Sequence, residues 1–530
     1  MSTTDSFIAA SHEQFERLWH RLRGASVPKV IASCFSPGRI NLIGEHVDYM
    51  GGRVLPAAVD VGTCVLVAVD LDASSSPSHA NDASSSPSDA NDDSAASVVT
   101  IWCPAQASRD GAHMSYTASW SQLTRWADDV ASIYDGVADV VAARTSTAAV
   151  QFRKRIAEEC KVVSWAAYVI GALVDGIAVG RRLGRASKPL PPGAVVFFAG
   201  NVPIGAGLSS SAALCVALVS AIGYASSDPN SVALAGSPAA EQDSHRTAIA
   251  LRSQQIEHRF CGVFCGIMDQ YASLHGKPGA LLEVDCAALT HIVHPVGPLF
   301  AVRGPVDDAW QCSLWLVNSM VQHQLGEEYN AIRREMAEAV AAIGHAYAHG
   351  AVAFDVVAHA RAARRTPATC PVLEPFREAV ASSRAFAALE HVASEVQRTD
   401  DFIAVLHHLS HVTEAPAVAA DCKHLGQLLD ATHESLATRL HVSTEHLDFV
   451  HDTAAKLSTD SRDCRCLGSR MMGGGFGGCV LLLIESRPAP HPACALFFQE
   501  LQNAFRDRYQ LTCAVYGPVL PVAGTIVTRC

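Results

Sequence analysis

Residues 203–213 read PIGAGLSSSAA, a string that could hold a phosphate group. It lies between a predicted strand and a long apolar helix. Its two glycines let the backbone approach an anion closely, and the start of the helix offers free N–H groups and the positive end of a dipole. No Gly-Lys-Ser/Thr follows the glycines, so this is not a Walker-type loop. A serine-capped helix after a tight turn is the plainer interpretation of the same residues.

A second string, residues 36–49, reads SPGRINLIGEHVDY and mixes charged residues with glycines. We predict a turn here. Arg39 offers a permanent, forked cation that fits a phosphate or a carboxylate. Glu45, His46 and Asp48 could accept hydrogen bonds from several hydroxyls of a sugar. A solvated loop that contains a structural Arg–Glu pair would explain the same residue types.

Carboxylates in the middle of the chain supply candidates for proton transfer and for metal binding. Asp269 follows the apolar Ile267-Met268 pair in the string CGIMDQ (265–270), and such a residue can take a proton from an attacking hydroxyl. Glu257, twelve residues earlier, could hold Mg²⁺ together with a hydroxyl group. Each acid taken singly is also typical of a surface charge or a helix cap.

Five of the six residues 473–478 are glycine, and a strongly apolar strand follows them at once. So many glycines cost conformational entropy, which indicates close backbone packing or a loop that faces a ligand. A flexible tail linker is disfavoured, because the next residues are those of a buried strand.

The elements that must position these strings alternate irregularly between strands and helices. This mixture predicts an α+β fold rather than a doubly wound sheet. Apolar periodicity predicts most of residues 327–457 to be helical. We expect strands at residues 64–70, 98–102, 194–199, 314–318, 480–484 and 512–516, and helices at residues 120–130, 147–159, 165–179, 210–224 and 245–260.

Residues 72–81 and 82–91 are a nearly identical tandem duplication, DASSSPSHAN followed by DASSSPSDAN. Their Ser, Asp, Asn and Pro content cannot form a core. We predict a low-complexity loop inserted between two strands at residues 72–97. Residues 225–243 are predicted to be a second polar loop.

Length and composition limit the class of protein. A chain of 530 residues is too long for one core, so two domains are expected. The net charge of −12 gives no sign of a nucleic-acid partner. Seventeen cysteines without paired metal spacing predict reduced thiols in a cytoplasmic, reducing compartment. No apolar run is long enough to span a membrane.

Together the four strings resemble the GHMP kinase superfamily and, within it, the galactokinases. Residues 38–49 are similar to the galactokinase signature almost residue for residue, and residues 203–213 and 471–479 are similar to the superfamily's phosphate loop and its C-terminal glycine motif. The resemblance continues through residues 265–270, 317–329 and 435–448. It implies the GHMP kinase fold, in which two mixed α/β domains (expected at 1–285 and 286–530) enclose the active site in the cleft between them.

The resemblance also implies roles for individual residues. Asp269 would be the catalytic base, and Arg39 would keep it ionised and offset charge on the transferring phosphoryl group. Ser211 and Glu257 would lie near Mg²⁺. Hydroxyls of galactose would meet Glu45, His46, Asp48, Tyr329 and the backbone of Gly266. The phosphates of ATP would lie on Pro203, Gly205, Ala206, Gly207, Leu208, Ser209, Ser210 and Ser211.

Two positions depart from the family's pattern, and alternatives stay open. Met472 stands where a small hydroxyl residue is usual, and Gln322 replaces a usual arginine. A non-catalytic sensor of galactose and ATP is one alternative, although the phosphate loop is undamaged. An N-acetylgalactosamine kinase is another, while the Glu-His-x-Asp stretch argues against arabinose, galacturonate, mevalonate and homoserine kinases. The partners expected are galactose and ATP, with the chain a monomer.

Overall fold

The computed structural model describes most of the chain apart from several internal segments. The described residues are 3–70, 98–103, 114–137, 140–159, 165–184, 189–191, 193–203, 205–226, 239–303, 309–321, 326–347, 354–363, 373–458, 463–488 and 492–528. The predicted insertion at 72–97, part of the predicted polar loop at 225–243 and Gln322 lie outside them. None of the helices in these ranges combines the length and the apolarity that crossing a lipid bilayer requires.

The strands form three sheets. In chain order they are β1 (Pro28–Asn41), β2 (Arg53–Val54), β3 (Pro56–Asp70), β4 (Val98–Cys103), β5 (Met114–Ser119), β6 (Val195–Gly200), β7 (Ala280–Asp285), β8 (Thr290–Pro295), β9 (Gln311–Asn318), β10 (Cys464–Met471), β11 (Cys479–Ser486), β12 (Ala514–Tyr516) and β13 (Ile526–Thr528). All six strands that were predicted are present, and the α+β class is confirmed.

The helices fill the space between and around these sheets. They are α1 (Thr3–Arg23), α2 (Trp120–Tyr134), α3 (Val140–Thr145), α4 (Thr147–Glu159), α5 (Ala166–Arg182), α6 (Ser210–Ala225), α7 (Ala239–Ile256), α8 (Met268–His275), α9 (Gly297–Phe300), α10 (Gly326–Tyr347), α11 (Val356–Ala363), α12 (Ser383–Leu409), α13 (Ala415–Thr438), α14 (Glu445–Leu457) and α15 (Ala493–Tyr509). α4 has the predicted bounds, whereas α7 begins inside the predicted polar loop.

The largest sheet has six strands in the order β13-β1-β3-β6-β4-β5, and β4 and β6 are its parallel neighbours. Successive side chains of β3 point to opposite faces of the sheet, and both of these faces are apolar. Val65 and Val67 belong to the core that includes α6, while Leu66 packs with Phe15 and Trp19 of α1 on the other side. α6 is apolar all round because α5, α7 and α8 cover the sides that the sheet leaves open.

The turn predicted around Pro37-Gly38 is wrong, because β1 runs straight through it to Asn41 with a bulge between Pro37 and Arg39. A side chain at Gly38 would place its Cβ 2.5 Å from the carbonyl oxygen of Leu208. The glycine therefore permits a close approach of the phosphate-loop string rather than a reversal of the chain. As a result Arg39 and Asn41 lie on a rigid strand.

The second sheet has the order β10-β11-β9-β12, and β2, β7 and β8 form the third. The last predicted strand, observed as β12, pairs with β9, while the unpredicted β13 returns to pair with β1. β7 and β8 form an antiparallel pair across residue 285. The division of the chain into domains at that residue stays a prediction.

Candidate active site

Three elements meet at Asp269, which is the second residue of α8. Arg39, at the end of β1, donates two hydrogen bonds to Asp269 Oδ1, from Nε at 2.8 Å and from a terminal nitrogen at 2.7 Å. Ser209 Oγ donates to Asp269 Oδ2 at 2.6 Å. A carboxylate oxygen accepts about two hydrogen bonds. Oδ1 is therefore filled, while Oδ2 keeps one lone pair for a further donor.

The phosphate-loop string is held by contacts with two other glycine-containing segments. A terminal nitrogen of Arg39 donates to the carbonyl oxygen of Gly207, and a Cβ at Gly207 would lie 2.6 Å from the carbonyl oxygen of Met472. Gly473 in turn packs on Gly207. The glycines at 473–478 thus serve close backbone packing, one of the two predicted uses. Met472, the departure from the family's pattern, is fully buried behind this contact.

Ser209 adopts a left-handed conformation immediately before α6, with φ of 62°. This conformation is unfavourable for a residue with a side chain, and such strain is found at ligand-binding turns. The predicted helix cap is not made by its hydroxyl, since that group donates to Asp269 instead. Ser209 therefore links the start of α6 to the candidate base.

Glu257 begins a single π-helical turn, Glu257–Cys261, which follows α7, and it is 2% exposed. Burial raises the pKa of Glu257 to about 7, although the nearby Ser211 hydroxyl favours the ionised form. Gln270 also donates to its carboxylate. A buried carboxylate beside a hydroxyl is the hard oxygen donor set that Mg²⁺ prefers, so these two residues fit the predicted ion.

Glu45, His46 and Asp48 lie in the loop between β1 and β2. Asp48 approaches the backbone of Gly266 so closely that a Cβ there would be 1.8 Å from Asp48 Oδ2. Burial first, and the charge of Asp269 second, raise the pKa of Asp48 to about 6. The Tyr329 ring lies 5.5 Å from the His46 ring. Glycine at 266 is thus what lets this carboxylate face the start of α8.

One cavity of about 100 Å³ collects these side chains. Its lining includes nine of the predicted site residues, namely Arg39, Glu45, His46, Asp48, Ser211, Glu257, Gly266, Asp269 and Tyr329. Of the predicted ATP-binding residues, only Ser211 is part of the lining. The others among the described residues 203–210 adjoin the cavity through Gly207 and Ser209.

A buried network behind the cavity escaped the sequence analysis. Arg470, fully buried on β10, donates to Glu45 Oε2 at 2.8 Å and to the carbonyl oxygen of Leu42 at 2.7 Å. Burial alone would raise the pKa of Glu45, but Arg470 and Arg39 outweigh it and hold that pKa below its usual value. The bonds recorded for Glu45 within the described ranges all end on Oε2 or the main chain, which leaves Oε1 for a ligand.

The main chain of the same loop is held by α12. Glu395 accepts from the N–H groups of Gly44 and Glu45, at 2.9 and 3.2 Å, and His391 bonds the carbonyl oxygen of Glu45 at 3.0 Å. Burial alone would raise the pKa of Glu395, but the charge of Arg398 outweighs it and lowers this pKa to about 2. His391 and Glu395 are four residues apart and share one helix face. Their spacing, inside an apolar helix, was the signal that could have found them.

Comparison with known proteins matches two parts of the chain to family models. Residues 23–69 match the model of the galactokinase galactose-binding signature, and residues 167–277 match that of the GHMP kinase N-terminal domain. The chain therefore carries a GHMP kinase N-terminal domain. The predicted resemblance is thereby confirmed, and with it the use of ATP.

Curated relatives cover most of the length of this chain. A galactokinase of Homo sapiens is 28% identical over 86% of this chain and 84% of its own, and one of Canis lupus familiaris is 29% identical over 91% and 88%. A crystal structure of Lactococcus lactis galactokinase, complexed with galactose, covers 97% of this chain and 99% of its own, with 20% identity and a TM-score of 0.61. That likeness confirms the GHMP kinase fold.

Proposed function

We propose that this GHMP kinase is a galactokinase, which transfers the γ-phosphoryl group of ATP to the C1 hydroxyl of galactose. The observation that carries the proposal is the carboxylate of Asp269, whose Oδ2 keeps one lone pair and which faces the cavity that Glu45, His46 and Asp48 also line. The galactose-binding signature at residues 23–69 and the galactokinase relatives support the same choice of sugar.

The bonding of Asp269 directs the proton transfer. Arg39 occupies both positions on Oδ1, so the C1 hydroxyl of the sugar donates to the remaining lone pair of Oδ2, beside Ser209. As the sugar oxygen bonds to the γ-phosphorus, its proton passes to Oδ2. The bond from the γ-phosphorus to the β–γ bridging oxygen breaks, and ADP leaves. Arg39, held against Gly207, offsets charge on the transferring group.

The sugar is recognised by acceptors of fixed position. The carboxylate of Asp48 is held in place by the N–H groups of Tyr49 and Met268. From this fixed position it accepts from the C3 and C4 hydroxyls. Glu45 Oε1 and His46 meet other hydroxyls, and Tyr329 covers one side of the pocket. Glucose, which has the opposite configuration at C4, would leave part of the Asp48 carboxylate unpaired. Losing a required hydroxyl contact costs up to roughly 10⁴-fold, and a misplaced hydroxyl costs less.

Mg²⁺ accompanies ATP in this proposal, and Ser211 and Glu257 would hold it. The ion would offset the negative charge of the phosphates when bound. Of the remaining predicted ATP residues, 205–210 would offer backbone N–H groups to the phosphates before and at the start of α6, and Pro203, which has no N–H, would lie beside them.

The test is ATP consumption with Mg²⁺ over galactose, N-acetylgalactosamine, glucose, arabinose, galacturonate and mevalonate, with the phosphate position of the product assigned by NMR. We expect strong turnover on galactose with phosphate at C1, poor use of N-acetylgalactosamine and little or none of glucose. Preference for another substrate, or phosphate at C6, would overturn the proposal. Measurable binding of ATP and galactose without turnover would instead identify a sensor.

A further inference from the structure

A second group of chemistry-bearing side chains lies at the far end of α8 from Asp269. His275 ends this helix, and beside it are Asp243 of α7 and His291 of β8. One ligand atom from each of the three residues lies within 4.8 Å of the other two. The predicted active site uses none of them.

His275 is the most informative member of this trio. It is fully buried, and its Nδ1 has no hydrogen-bond partner among the described residues. This atom lies 3.6 Å from Asp243 Oδ1, beyond hydrogen-bond length. The Thr247 hydroxyl donates to the carbonyl oxygen of Asp243 at 2.9 Å, so it can accept from His275 Nε2 at 3.3 Å. In the tautomer that donates from Nε2, the lone pair of His275 lies on Nδ1 and faces a carboxylate. A cation between the two would remove that conflict.

The charge state of His275 agrees with a role as a ligand. Burial first, and the nearby His291, Arg246 and Lys277 next, lower the pKa of His275 to about 2. The imidazole is therefore neutral at physiological pH, which is the form that binds metals. Arg246 and Lys277 oppose a bound cation, so the ligand bonds themselves must supply the affinity.

Tyr271 fixes the orientation of both histidines. Its ring stacks on His275 with centroids 4.1 Å apart. Its hydroxyl donates to the carbonyl oxygen of Leu289 at 3.2 Å and lies 3.0 Å from His291 Nδ1. Hydrogen bonds of this kind orient the histidine ligands of metal sites.

We infer that Asp243, His275 and His291 bind a divalent transition-metal ion of the zinc class. Two imidazoles and a carboxylate are the ligands of open zinc sites, and imidazole favours such ions over Mg²⁺. Zinc ligands at about 2.0–2.2 Å from the ion lie about 3.4 Å apart in a tetrahedron. His275 Nδ1 and Asp243 Oδ1 are 3.6 Å apart, and the ligand atoms of all three residues lie within 4.8 Å of one another, so they approach this spacing. An adjoining open cavity of about 600 Å³ admits water as the fourth ligand.

A second trio, Glu283, His294 and His407, has similar residue types and provides a control. Glu283 already accepts from His294 at 2.8 Å and from Arg53 at 3.1 Å, so its carboxylate is satisfied without a metal. The exposed His407 can be replaced without disturbing the core.

The experiment is calorimetric titration of the chelator-treated full chain with Zn²⁺ in excess Mg²⁺, and absorption spectroscopy with Co²⁺. We expect one Zn²⁺ per chain and a tetrahedral Co²⁺ spectrum. Asp243→Asn and His291→Gln should each weaken Zn²⁺ binding by at least about tenfold, since even indirect contacts to a metal are worth 10–100-fold. His407→Gln should leave it unchanged. Turnover with Mg²⁺ shows that the variants are folded.

Three outcomes would overturn the inference. One is absence of stoichiometric Zn²⁺ binding, which would leave a neutral histidine packed beside an aspartate. Another is unchanged binding in both Asp243→Asn and His291→Gln. The third is loss of binding in His407→Gln, which would move the ion to the other trio.

Discussion

Two arginine–carboxylate pairs adjoin the cavity, and they differ in how far the carboxylate is exposed to solvent. In the first, Arg39 is 4% exposed but its partner Asp269 is 25% exposed. In the second, Arg470 and Glu45 are 0% and 3% exposed. Arg39 leaves Asp269 Oδ2 with a free lone pair, whereas Arg470 shares Glu45 Oε2 with the N–H of Gly473 and the side chain of Asn41.

The difference in exposure indicates that the first pair can take part in the reaction and that Arg470 of the second pair stabilises the fold. A partly exposed carboxylate held at one oxygen can exchange a proton with a ligand. A fully buried arginine that also donates to the carbonyl oxygens of Asn41, Leu42 and Met471 ties β10 to the loop after β1. Removing one partner of a buried pair leaves an unpaired charge, which is strongly destabilising. We therefore expect substitutions in the first pair to change turnover, and substitution of Arg470, which does not line the cavity, to change stability.

The largest effect should follow Asp269→Asn, which tests the first half of the comparison. The amide keeps the shape of the carboxylate but cannot take the proton of the sugar hydroxyl. Turnover should fall by about 10² to 10⁴-fold or more, the usual contribution of a general base. Galactose binding by calorimetry and the melting temperature should change little. Retention of more than a tenth of the turnover would exclude Asp269 as the base.

Arg470→Met should affect stability instead. It removes the charge partner of Glu45 and four donated hydrogen bonds, so the free energy of unfolding should fall by about 3–5 kcal/mol. Arg465→Met is the matched control on the same strand, because Arg465 is 35% exposed, whereas Arg470 is 0% exposed; its partner Glu485 is 11% exposed. Its loss should be within about 1 kcal/mol. Equal losses in the two variants, measured by urea denaturation, would contradict the proposed role of the buried pair.

The two pairs also show what a sequence can predict. Arg39 stands between the glycines at 38 and 44, outside any amphipathic pattern, and Asp269 follows an apolar pair, so their types suggested chemistry. Arg470 stands in an ordinary strand next to Met471, and its partner Glu45 is 425 positions away. Nothing in the local spacing joins those two residues. A contact made between distant segments is visible only after the sheets are assembled.

The same limit applies to whole elements. Helices such as α4 and α6 were predicted because their own residues determine them. β13 was missed, since its three residues pair with β1 only when the end of the chain returns. α1 was overlooked, although it buries one side much as α4 does. Gly38 was read as a turn because its close neighbour, Leu208, is remote in sequence.

Ser209 allows a smaller and sharper test of the first pair. Ser209→Ala removes the donor to Asp269 Oδ2 and keeps the left-handed conformation, while Ser209→Gly removes the same donor and relieves the strain. A net hydrogen bond to a charged group is worth about 1.5 kcal/mol at the lower end, so both variants should lose roughly tenfold in turnover. The glycine variant should be the more stable by about 1–2 kcal/mol in urea denaturation. Wild-type turnover in either variant would show that this hydrogen bond does not prepare the base.

The smallest expected effect is a pH dependence of galactose binding, which extends the comparison to Asp48. Burial, then the charge of Asp269, raise the pKa of Asp48 to about 6, and only the ionised carboxylate accepts from two hydroxyls at once. Affinity for galactose without nucleotide should therefore be constant above about pH 7. Below about pH 6 it should fall by up to roughly tenfold per unit, since one proton must then be released on binding.

Asp430 is the matched control, because burial raises its pKa to about 6 as well, yet its carboxylate accepts from the N–H of Ser469 outside the cavity. Calorimetry from pH 5 to 8 should give the same profile in Asp430→Asn as in the wild type. A flat profile in the wild type would mean that Asp48 does not bind the sugar as an ion. If Asp430→Asn loses the pH dependence, the group that titrates is Asp430 and not Asp48.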